Sequence, residues 1–97
     1  MAYSTSTPPK LIVQAVGGTG PNLWTYQNTD ADTVVRVSGY ITNGGNLGMK
    51  AGDIVFYTDT DAVPIANFMF NVTTVSATAP GAVDLSNATA VTATNSD

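Results

Sequence analysis

"GYITNGGNLGMKAGDIVFYTDTD", residues 39–61, holds five of the nine glycines and three of the seven aspartates in a chain of 97 residues. Asn43–Gly44–Gly45–Asn46 reads as a turn cluster, where a positive φ costs little. Gly52–Asp53 reads as a second, tighter turn, with an aspartate able to accept from nearby backbone amides. Directly after it comes IVFYT (54–58), β-branched and aromatic, and therefore a strand. Leu47 and Met49, between the two turns, are placed to plug the end of a core. Punctuation this dense before a strand belongs to a domain of short strands and tight turns.

The flanking sequence extends that reading in both directions. Upstream, KLIVQAV (10–16) is a first strand that stops at Gly17–Gly18. NLWTYQN (22–28) is a second, with Leu23 and Thr25 on one side and Trp24 and Tyr26 on the other. TDADTVVRVSGY (29–40) pulls two ways. Its valines favour a strand by propensity, while Thr29 or Asp30 as a cap, Asp32 in a first turn and Gly39 as a stop favour a helix. One short helix over 30–38 is the expected outcome, with Val34 and Val37 on one face. Downstream, IANFMFNVTTVSA (65–77) is the longest β signal and sets Ala66, Phe68, Phe70 and Val72 on one face. GAVDLS (81–86) offers a last strand after Pro80–Gly81. The expected fold is mainly β, a small antiparallel β-barrel or β-sandwich with one short helix. Its single β-rich domain spans 10–86, between an extended N-terminal arm (1–9) fixed by Pro8–Pro9 and a flexible C-terminal tail (87–97).

Composition narrows the chemistry. Charged residues make up 10% of the chain: Lys10, Arg36, Lys50 and seven aspartates, for a net charge of −4. Phosphate contacts need clustered lysine and arginine, so nucleic acid is not an expected partner. No apolar run is long enough to cross a membrane, and the first ten residues have neither the basic start nor the apolar core of a secretory signal. Histidine and cysteine are absent, and so is glutamate, which removes the usual catalytic bases and soft metal ligands. No catalytic, cofactor-binding or metal-binding residue is expected. Asp59 and Asp61 are two hard oxygen ligands without the spacing of a calcium loop, and a solvated turn explains them better. Burial is worth ~140 kcal/mol against ~145 kcal/mol for ordering the chain, so the two cancel. With no disulfide or zinc to add to that balance, association with other copies or a partner is the expected remedy.

In order and spacing, Leu23-Trp24-x-Tyr26, Asp30-Ala31, a valine-rich piece, Gly39-Tyr40 and Met49-Lys50-x-Gly52-Asp53 before a strand make up residues 22–61. This segment, about two-fifths of the chain, resembles a recurring one in small virion structural proteins of tailed bacteriophages, of the capsid decoration or cement type. The resemblance implies a virion location on the outer capsid surface, the major capsid protein as partner, and a homo-oligomer, a trimer being favoured. It carries over no catalytic residues. The candidate interaction residues are Tyr3, Pro8 and Pro9 in the arm, which could lie across a neighbour, and Trp24 and Tyr26. Two other functions stay open. One is a fibre, spike or tail module that stacks a host glycan on Trp24 and Tyr26; the other is a non-viral β-domain with a protein partner. Core or subunit packing is the plainer role for those two rings.

Overall fold

A computed structural model describes residues 3–15, 20–63 and 65–91. Among these residues, six strands and two single-turn helices follow one another as β1 (Lys10–Val13), β2 (Leu23–Asn28), α1 (Asp32–Val35), α2 (Gly44–Leu47), β3 (Ile54–Asp59), β4 (Ala66–Val75), β5 (Val83–Leu85) and β6 (Thr89–Val91). The strands make one sheet in the order β1-β2-β3-β4-β5, with β6 also paired to β4. The class is mainly β, as expected, but the sheet does not close into a barrel and carries two short helices rather than one.

One pairing departs from the antiparallel expectation. β2 and β3 run parallel, Leu23 beside Ile54 through Asn28 beside Asp59. A parallel pair needs a crossover of a dozen or more residues, and 29–53 supplies it. The sequence of β3 is that of a central strand. Val55 and Tyr57 face the core, while Ile54 and Phe56 on the reverse face are also partly covered, giving the near-continuous apolar run that strands buried on both sides show. β3 ends at Asp59 and pairs antiparallel with β4, which begins at Ala66. β5 and β6 pair in succession with β4, over Val72–Val75 and Asn67–Met69 respectively. Residues 89–91, expected in a flexible tail, are thus the strand β6; residues 92–97 lie outside the described residues.

The register builds the core. Trp24 stands beside Val55 and Val55 beside Phe70; one rung on, Tyr26 stands beside Tyr57 and Tyr57 beside Phe68. Tyr26 stacks on Tyr57 at 5.6 Å and Tyr57 on Phe68 at 6.4 Å between ring centroids. The crossover lies over this face, burying Val35, Ile41 and Met49 against it. Ile41 also pairs with Val83 of β5. The helix expected over 30–38 is reduced to one turn, its N-cap Ala31 making no side-chain bond. Val37, expected to share a helical face with Val34, lies beyond the helix; both are exposed, and Val35 is the residue that enters the core.

The turn cluster at 43–46 also differs from expectation. Gly44 and Gly45 begin helix α2, and the positive φ falls on Gly48 at 97°. What needs the two glycines is close approach. A Cβ on Gly44 would come within 2.0 Å of the Val83 side chain, and one on Gly45 within 2.9 Å of the Gly81 backbone. The N–H groups of Gly45 and Asn46 donate to the carbonyls of Gly81 and Pro80, each at 3.0 Å, fastening α2 to the β4–β5 turn.

Candidate functional site

The strongest convergence of polar chemistry lies where the arm, β2 and the crossover meet. All four tyrosines of the chain are there. Tyr3 packs on Tyr26 at 5.9 Å and edge-on to Tyr40 at 5.8 Å. Its hydroxyl donates to Asn43 Oδ1. Tyr40 donates to Asp30 Oδ2 at 2.6 Å, and Tyr57 donates to the Asp30 carbonyl. Asn28 Nδ2 donates to the hydroxyls of Tyr26 at 2.8 Å and Tyr40 at 3.1 Å.

Burial dominates the acid–base behaviour of three of these phenols, Tyr3, Tyr40 and Tyr57. It pushes Tyr3 up to about 12, with help from neighbouring Tyr26. Burial, followed by the hydrogen bond to Asp30, raises Tyr40 well above the usual tyrosine range. Tyr57 is raised by burial and then by the charge of Asp59. Phenols that resist ionisation when folded hold protons that the unfolded chain has already released, so stability is lost as pH rises past the unfolded value. The contribution is complete below pH ~10 and declines through ~12 and above. Alkaline titration followed by phenolate absorbance should therefore show ionisation delayed and coincident with loss of the β circular-dichroism signal. Ionisation of Tyr3, Tyr40 and Tyr57 near the free tyrosine value while the fold persists would contradict this cluster.

Asp53 forms the second polar centre. It is only 1% exposed and accepts three hydrogen bonds at 3.0 Å, from the backbone N–H of Asn22, the indole Nε1–H of Trp24 and the backbone N–H of Lys50. Its backbone is tied in as well, for the Asp53 carbonyl accepts from Val72 and the Gly52 N–H donates to Val72, both at 2.8 Å. The aspartate does trim its own turn through Lys50. It also spans the parallel pair, reaching the start of β2.

These positions decide what the sequence-predicted residues can do. Trp24 and Tyr26 are 3% and 4% exposed, so their rings belong to the core and present no open face on which a sugar could stack. Tyr3 is drawn into the tyrosine cluster, Pro9 is buried and Pro8 is half-buried. Pro8 lines an open cleft of about 360 Å3 with Ser6, Thr7, Lys10, Thr25, Tyr26 and Gln27. That lining holds one lysine and no carboxylate. Among the described residues no three His, Cys, Asp or Glu side chains gather as a metal site. Asp59 Oδ1 instead accepts the Asp61 N–H at 3.1 Å, as a turn aspartate does.

Sequence reasoning missed the exposed character of β1. Leu11, Ile12 and Val13 are each about half exposed, on a strand whose outer edge has no neighbour among the described residues. The apolar run KLIV gave the strand but not its place at the rim. Among the described residues no helix is long and apolar enough to cross a membrane. No family model, curated protein or solved structure matches this chain.

Proposed function

We propose that this chain is a structural binding protein of a tailed-phage particle, a decoration or cement protein that coats the outer capsid surface in many copies. In this reading it is not an enzyme and uses no cofactor. Its partners are the major capsid protein and other copies of itself, with a trimer the favoured assembly. The observation that carries the proposal is β1, an edge strand whose outer side has no partner strand among the described residues and which carries three half-exposed aliphatic side chains in a row. Soluble proteins shield such edges with charge, proline or a covering element, and an edge left open is suited to pairing with another chain. The phage setting comes from the sequence resemblance over residues 22–61.

Shell stabilisation follows from differential binding. A protein that binds the expanded shell better than the immature one shifts the equilibrium toward the expanded form, in proportion to the copies bound. The aromatic rings that a glycan-binding module would use are in the core, which favours the decoration reading over the fibre or spike reading. The test is to mix purified protein with expanded, undecorated heads of the phage that encodes it, sediment them and count bound copies. Saturable binding of many copies per head, with greater resistance of the heads to heat, is expected. Binding of a few copies or none would overturn the proposal.

A further inference from the structure

Besides β1, a second apolar protrusion stands at the β3–β4 turn. Val63 is 98% exposed and Ile65 more than half exposed, just beyond Asp59 and Asp61. Exposed aliphatic groups at a loop tip contribute nothing to this fold. The two surfaces have opposite charge. β1 begins with Lys10, one of three cations in the chain, followed by Leu11, Ile12 and Val13. The loop carries two carboxylates at its base and aliphatic groups at its tip. β2 stands between β1 and β3, the strand that the loop leaves, a separation of about 10 Å in strand spacings, and Val63 at 98% exposed is not covered by β1 of its own molecule.

We propose that the β3–β4 loop of one copy, through Val63 and Ile65, docks on the β1 edge of another, against the exposed aliphatic run Leu11–Val13 and with Asp61 facing Lys10. This rests on the reading of the chain as a homo-oligomer and names the surfaces that make it. The contact joins two different patches, so repetition produces a closed ring wherever the rotation between copies permits. The aliphatic groups supply the attraction. The charge pair fixes orientation and disfavours the competing loop-to-loop and edge-to-edge contacts, where like charges would meet.

Charge reversal with rescue tests this. Sedimentation velocity over a concentration series would compare wild type with Lys10→Asp, Asp61→Lys, the double reversal and Val63→Asp. Each single reversal should weaken self-association by about tenfold or more, and the double reversal should return it to within about threefold of wild type. Val63→Asp should sediment as a monomer with unchanged circular dichroism, because the side chain has no packing in the fold to lose. A wild type that stays monomeric at every concentration, or a double reversal no better than the singles, would overturn the inference. Head binding separates the two proposals. A monomer that coats heads refutes only this interface, and an oligomer with the rescue pattern that ignores heads refutes only the decoration role.

Discussion

Gly81→Ala should unfold the protein at markedly lower denaturant than wild type, at a cost of about 3–4 kcal/mol. Two effects combine at this position. The backbone of Gly81 has φ of 86°, a region that costs an L-residue roughly 1–2 kcal/mol. The new Cβ would also sit 2.5 Å from Gly45 Cα and 2.6 Å from Gly45 N, where only backbone could give way. Moving that backbone breaks the two hydrogen bonds from Gly45 and Asn46, worth about 1 kcal/mol each. Gly48→Ala is the control. Its φ is 97°, yet a Cβ there meets nothing within 4 Å, so only the backbone term of about 1–2 kcal/mol should appear. Equal losses in the two variants, measured as urea midpoints with unchanged m-values, would show that close approach of the two glycines is not what fastens α2 to the sheet.

That contact marks the boundary of what could be read in the sequence. Local patterns located the cores of β1 to β5 but not β6. The IVFYT run became β3, the alternation in NLWTYQN set Trp24 and Tyr26 inward, and Phe70 and Val72 face the core from β4. Pairing was less legible, because periodicity fixes which face a residue occupies and not which strand lies beside it. The parallel β2–β3 pair depends on how 29–53 returns across the sheet, and Gly44 and Gly45 looked like turn residues because nothing local reveals that Val83 and Gly81 lie against them. The tyrosines at 3, 26, 40 and 57 follow no period, so their convergence is a product of tertiary structure alone. Edge or centre was equally hidden for β1, since KLIV would serve as well in the middle of a sheet. The tail fared likewise, for Thr89–Val91 has a weak strand signal and is held in β6 by β4.

Asp53→Ala should be the other severe substitution, with a loss of about 3–5 kcal/mol. Removing the carboxylate leaves three donors without an acceptor at a site that is 1% exposed, and each buried orphan costs about 1–3 kcal/mol. Access of water to the Lys50 amide, whose residue is exposed, keeps the total below the sum of three full penalties. Asp53→Asn separates charge from shape. The amide keeps one accepting oxygen but turns an N–H toward a donor, so it should lose about 2–3 kcal/mol. Trp24 is the only tryptophan, so its emission reports directly on the lost indole bond. The urea midpoint and the tryptophan emission should therefore shift together, and more in Ala than in Asn. A stable Asp53→Ala variant would mean that the Gly52–Asp53 turn holds the start of β2 to β3 through backbone bonds alone. The spacing of Asp53 after a glycine would then be a matter of turn geometry, as the sequence alone suggested. If instead the variant fails as expected, one aspartate explains why a tight turn, an indole and the start of a distant strand occur together in this chain.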